Sequence, residues 1–274
     1  MFVAAAIHFD MHIPSVIRYL GGNYTAAYRD VPSILNLVKD KVSDNLFLDM
    51  KRILEVGAPN FLVAESTQTN FETYRKYGNH PTLSQNIVKV RKVMNKEERN
   101  SYVIPFPNWM TRLIPNLHTT PQGLIVKPGK NDRLIFDGSV RLQWNSMPVN
   151  DMTHPSNEPQ IHFQKAMPNH LRRIWNLRIT YPHEDILLWD DDATGAFRQV
   201  KLHLDIASTY TFVIEQLLFI PTGQTFGGNT CPPNWEPIAR VRMVLAEWLS
   251  RDPSLVTKFR KDHLDKVQSV LQGT

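Results

Sequence analysis

The sequence predicts an α+β protein, with a helical N-terminal region followed by antiparallel hairpins packed by helices. Three observations carry that prediction. Apolar residues of the first hundred positions recur at spacings of three and four, as they do along a helix. From residue 124 onward this spacing gives way to short β-prone runs bounded by turn residues. Between the two lies a proline-rich passage, Ile104-Pro105-Phe106-Pro107 through Pro115 and Pro121, where helices must stop and a border near residue 105 is expected.

Composition bounds the answer before any motif does. A chain of 274 residues can bury one large core or two small ones, and 42% hydrophobic with 21% charged residues describes a folded protein rather than a disordered one. No run of about 18 apolar residues occurs, so no membrane-spanning helix and no membrane partner are expected. The opening Met1-Phe2-Val3-Ala4-Ala5-Ala6-Ile7 lacks a basic start and meets Asp10 too soon for a signal sequence, so it reads as an ordinary helix start or a truncation scar. The single Cys231 excludes an internal disulfide and a cysteine zinc site, which suits a reducing intracellular compartment, cytoplasm or nucleus. A net charge of +5 is compatible with a phosphate-rich partner, though many proteins simply solvate such a charge.

The elements follow in order. Ile34, Leu35, Leu37 and Val38, then Leu46, Leu48, Met50, Ile53 and Leu54, predict helices. His8 and His12 stand four apart but have no third ligand nearby, and they read as ordinary histidines. The basic stretch Lys89, Arg91, Lys92, Lys96 and Arg99 is interleaved with Glu97 and Glu98, which favours a solvated helix face over a phosphate-facing one. Leu124–Lys127 and Arg133–Asp137 flank Pro128-Gly129-Lys130-Asn131, a hairpin with a basic tip. Arg172, Arg173 and Arg178 surround Trp175, and two readings stand side by side: a template-tracking surface and a solvated helix face. Ile186-Leu187-Leu188-Trp189 reads as a buried strand that ends in Asp190-Asp191-Asp192. Tyr210–Ile214 and Leu217–Ile220 flank Glu215-Gln216 as a second hairpin. Gly223 to Pro233 then punctuates the entry to a helix whose stripe, Ile238, Val241, Val244, Leu245, Trp248 and Leu249, needs an apolar surface and is expected to cover a sheet. Asp252-Pro253 opens a last helix carrying Leu255, Phe259, Leu264, Val267 and Leu271.

The three aspartates carry the most chemistry. Adjacent carboxylates repel one another, so burying them is costly unless a cation offsets the charge. A calcium loop is excluded. Asp190-x-Asp192-x-Thr194-Gly195 starts like one, but its twelfth position is Lys201 and a strand precedes it. A solvated strand end and a Mg²⁺ site for phosphoryl transfer both remain open on these residues alone.

The context downstream is more specific. Asp192-Ala193-Thr194-Gly195-Ala196-Phe197-Arg198-Gln199-Val200 resembles the first catalytic motif of retroelement reverse transcriptases, an Asp followed at four and five residues by Ala and an aromatic. Phe226-Gly227-Gly228-Asn229-Thr230-Cys231-Pro232-Pro233-Asn234-Trp235 is similar to the family's next motif, Phe-Gly-x-x-x-x-Pro-x-x-aromatic. Lys127 and Arg133-x-x-x-Asp137 resemble the two arms of its fingers hairpin. The resemblance implies a polymerase-like fingers region over about 106–185 and a partial palm over about 186–274, and it leaves residues 1–105 unassigned.

It also implies RNA-directed DNA synthesis, in which a primer 3′-hydroxyl attacks the α-phosphate of a dNTP on an RNA or DNA template–primer with Mg²⁺. Asp192 would be catalytic and would hold the metal with Asp191, and the Ala193 carbonyl would assist. Phe197 would gate the sugar at C2′, Arg133 and Lys130 would contact the nucleotide from the hairpin, and Gly227 would let the backbone approach it. Each role has a plain structural alternative: a core phenylalanine on a strand, a solvated hairpin arginine, a turn glycine. Cys231, Pro233 and Gly228 depart from the family pattern. The family's third motif, an aromatic-x-Asp-Asp turn, does not follow the second, and Leu188-Trp189-Asp190-Asp191 imitates it only upstream. The expectation is therefore a chain that does not polymerise by itself, and its competitor is a catalytically dead retroelement remnant.

Overall fold

The computed structural model describes residues 1–26, 29–129, 132–153, 159, 161, 166–186, 193 and 195–250, with 249 and 250 described by their backbone only. The N-terminal hundred residues are helical as expected: α1 Phe2–His8, α2 Ile13–Leu20, α3 Val31–Val38, α4 Asp44–Val56, α5 Gln68–Tyr77, the single turn α6 Pro81–Ser84, and α7 Ile87–Arg99. Side-chain caps set the starts of two of them. Asp30 caps α3 by accepting from the Ser33 amide, and the Thr67 hydroxyl caps α5 through the Asn70 amide. No helix among the described residues is long and apolar enough to cross a membrane.

The proline-rich passage holds a strand. β1 (Val103–Pro107) pairs antiparallel with β5 (Leu217–Pro221), which in turn pairs with β4 (Phe212–Ile214), giving the order β1-β5-β4. Two prolines are tolerated because β1 is an edge. The Asn108 amide donates to Gln216 O across the ladder, so even-numbered amides face β5 and Pro105 and Pro107 sit where no donor is needed. β4 and β5 form the second expected hairpin, turning tightly at Glu215 (φ +55°) and Gln216.

The first expected hairpin is a separate two-stranded sheet, β2 (Gln122–Ile125) and β3 (Arg133–Phe136), with Gln122 opposite Phe136 and Ile125 opposite Arg133. Its first strand begins and ends two residues earlier than the apolar run Leu124–Lys127 suggests. The reason lies outside the strand: Gln122 N donates to the Asn79 side chain and Gln122 O accepts from His80 N. Asn79 also donates its amide to Val213 O of β4, so this one side chain bridges the two sheets.

Alternation along the strands sends side chains to two cores. One face of the three-stranded sheet, Ile104, Phe106, Leu218 and Ile220, packs under α1 and α2 through Ala6, Val16 and Ile17. The other face, Val103, Phe212, Ile214 and Phe219, packs against α7 through Val90 and Met94, and against the hairpin through Leu124, Leu134 and Phe136. The border near residue 105 is thus not a gap in the packing.

Three helices complete the described chain: α8 Ala166–Thr180, the four-residue α9 Ala196–Gln199, and α10 Cys231–Ser250. The apolar stripe of α10 corrects its expectation. Val241 and Leu245 pack with Leu35, Val38, Leu46, Met50 and Leu54 of α3 and α4, and Ile238 joins Ile53, Ala58 and Val200. Helices α3 and α4 rather than a sheet cover Val241 and Leu245, while Trp248 is exposed and Val244 lines an open groove. α4 carries its own apolar stripe, and both faces of the three-stranded sheet are already covered, so the two helical stripes bury one another. Of the strand read over Ile186–Trp189, only Ile186 lies within the described residues, and the helix after Asp252 lies outside them.

Candidate nucleotide site

The hairpin, the segment after the aspartates and the loop before α10 meet at one place. The amide of Phe136, at the end of β3, donates to the Phe226 carbonyl at 3.0 Å. Gly227 adopts φ +111°, and a Cβ there would collide with the Phe136 carbonyl oxygen, so only glycine allows this approach. The ring of Phe197 lies 5.4 Å from that of Phe226, tilted by 56°. Residues 136, 197 and 226 therefore share one wall although 61 and 29 positions separate them in the sequence.

Each of the sequence-derived residues has a definite place or lies outside the described residues. Phe197 is half-buried on α9, so the alternative of a core phenylalanine on a strand does not hold. The Ala193 carbonyl accepts from the Ala196 amide at 3.0 Å, and Gly195, left-handed at φ +63°, leads directly into α9. Arg133 is exposed on β3, roughly 10 Å up the strand from Phe136. It projects from the face opposite buried Leu134 and Phe136. Lys130, Asp190, Asp191 and Asp192 lie outside the described residues. Among those described, no group of three or more His, Cys, Asp or Glu side chains is close enough to hold a metal ion.

Residues that the sequence did not single out hold this wall together. Asn150 is buried, and its amide donates to Ser139 Oγ at 2.7 Å and to Gly227 O at 2.9 Å, while its side-chain oxygen accepts from the Asn229 amide at 3.0 Å. It clamps the chain just after β3 to the loop carrying Gly227. His80 Nε2 meets Asp137 Oδ2 at 2.9 Å, fixing the last residue of the Arg133-x-x-x-Asp137 pattern to the helical region. Nothing local marks Asn150 or His80, because Gly227 and Asp137, the partners that tie them to this wall, lie 77 and 57 positions away.

Behind α9 sits a buried cationic patch. Arg198 pairs with Glu97 at 2.9 Å, and Lys201 donates to Ser101 O at 3.1 Å with Tyr102's ring 5.4 Å from its ammonium. Burial, assisted by the charge of Arg29, pushes the Lys201 amine down to about 7. This patch anchors the segment that carries Phe197 to α7 and to the residues preceding β1. No family model, curated protein or solved structure matches the chain.

Proposed function

We propose that this chain carries the polymerase-like fingers and part of the palm of a reverse transcriptase, and that it binds a dNTP on the wall formed by β3, Phe197, Phe226 and Gly227. The single observation supporting the reading is the meeting of three motif-bearing segments. Motifs matched by chance have no reason to fold onto one wall, whereas a nucleotide site requires it. In this reading Arg133 and Lys130 contact the triphosphate, Phe197 packs beside the sugar, and the backbone at Gly227 approaches the nucleotide. Asp192, with Asp191 and the Ala193 carbonyl, holds Mg²⁺, which offsets the triphosphate charge. The template–primer is RNA or DNA, and the setting is intracellular.

Equilibrium binding of a fluorescent dNTP with and without Mg²⁺ tests the reading. Mg²⁺-dependent binding is expected, and Arg133→Ala should weaken it about tenfold, the effect of losing one charge-assisted contact. Asp192→Asn should remove the Mg²⁺ dependence. The reading is defeated if the chain binds no dNTP, or binds it equally well with both substitutions.

A further inference from the structure

Helix α5 and the chain that leaves β1 enclose a cleft of about 700 Å³. Gln68, Phe71, Glu72 and Arg75 stand three and four apart on α5, so one face of the helix lines it. Arg112, Leu113 and Ile114, at and just after the end of the short 3-10 helix Asn108–Arg112, supply the other wall. The floor is apolar, since Phe71, Ile114 and Leu117 belong to the core that packs under α1 and α2. The polar part of the lining is cationic. Arg75 is half-buried and Arg112 exposed, and neither is in an ion pair with a described residue. The ready partner of Arg75 is Glu72, three positions before it, but that carboxylate accepts from Gln68 Nε2 at 2.8 Å instead. Two guanidinium groups thus stand against one carboxylate.

We propose that this cleft binds a small organic anion, its carboxylate or phosphate monoester held by Arg75 and Arg112 and its apolar body resting on Phe71, Leu113 and Ile114. An apolar floor with a few polar groups at the rim is what a small-molecule site needs, and the volume suits one. The sign of the charge then selects the ligand. A cation is repelled by the two guanidinium groups, and a wholly apolar molecule takes water from them and gives nothing back. The planar fork of an arginine matches the paired oxygens of a carboxylate or a phosphate, and such charge-assisted bonds are the strong ones. The site is distinct from the wall proposed for the dNTP, because Phe136 belongs to the core on the other face of the three-stranded sheet. The inference goes beyond the nucleotide reading and does not depend on it.

The test is a titration of the whole chain with benzoate, phenyl phosphate and phenol at pH 7, followed by nuclear magnetic resonance of the backbone amides. For anions of this size a dissociation constant of about 1 mM is expected, with shifts centred on residues 68–75 and 112–114. Phenol keeps the ring and lacks the charge, and it should bind about tenfold more weakly. Arg75→Gln and Arg112→Gln should each weaken the anions about tenfold and leave phenol unchanged. Neither should lower the melting temperature appreciably, because neither guanidinium is in an ion pair. Glu72→Gln removes the one carboxylate of the lining and should tighten anion binding. Binding of either anion that an arginine variant weakens bears the proposal out, and the tighter of the two names the head group. Unchanged affinity in both arginine variants overturns it, as does equal affinity for phenol or no binding at about 10 mM. Arg133→Ala should leave both anions unaffected, and a loss there would move them to the nucleotide wall and overturn the proposal while leaving the nucleotide reading intact.

Discussion

His118 shows how far burial can move one side chain. It is wholly buried, with Nδ1 3.2 Å from Ser66 Oγ and the Tyr74 ring against its own, and its pKa is pushed down to about 4 by loss of solvent. The unfolded chain takes up the proton near the ordinary value of about 6.5, whereas the folded chain resists it until about 4. Stability is therefore fully present above about pH 6.5 and is lost progressively toward pH 4, by roughly 3 kcal/mol for this group. Urea unfolding at pH 7 and pH 4.5 should show a difference that His118→Gln reduces. An identical difference in the variant would remove His118 from the account. What the sequence disclosed at this scale was residue chemistry: the aspartate triplet, Phe197, Arg133 and Gly227 stand out by type and spacing. His118, Asn150 and Asn79 did not, because each is defined by distant partners rather than by its neighbours in the chain.

The docking of the Gly227 loop onto β3 is an element-scale contact that one added methyl group should break. Gly227→Ala combines a backbone strain of about 1–3 kcal/mol with a collision against the Phe136 carbonyl. Gly129→Ala provides the comparison, since Gly129 has φ +69° and no atom within 4 Å of its added Cβ. Chemical denaturation should rank Gly227→Ala well below Gly129→Ala, and equal losses would mean that the loop does not need this approach. Both hairpins were legible because turn residues and β-prone runs are local signals. β1 was not, since proline argues against a strand unless the strand is known to be an edge. The stripe of α10 was legible but its cover was not: periodicity reports that a face is buried without reporting against what.

At the scale of the whole molecule, the two halves of the sequence share their cores. The sheet formed largely by β4 and β5 is covered by α1, α2 and α7, and α10 is covered by α3 and α4. A fragment starting at residue 106 should consequently lack a near-ultraviolet circular dichroism signal and a cooperative melt, whereas the full chain should unfold in one transition. A fragment that melts cooperatively would restore the border near residue 105 as a true division. The sequence could not disclose this interleaving, because composition and periodicity act within short windows while these cores join residues about 200 positions apart.

The bridge made by Asn79 bears on how this protein meets its neighbours in concentrated solution. An unguarded strand edge invites pairing with another molecule, the first step of many aggregation reactions. Here the outer side of β1 lacks amide donors at Pro105 and Pro107, and on β4 the carbonyl of Val213 is already taken by the Asn79 amide. An intruding strand finds missing donors on one side and an occupied acceptor on the other. The short sheet is thus fenced at both margins, and a strand from another molecule must first displace Asn79 to join it at β4.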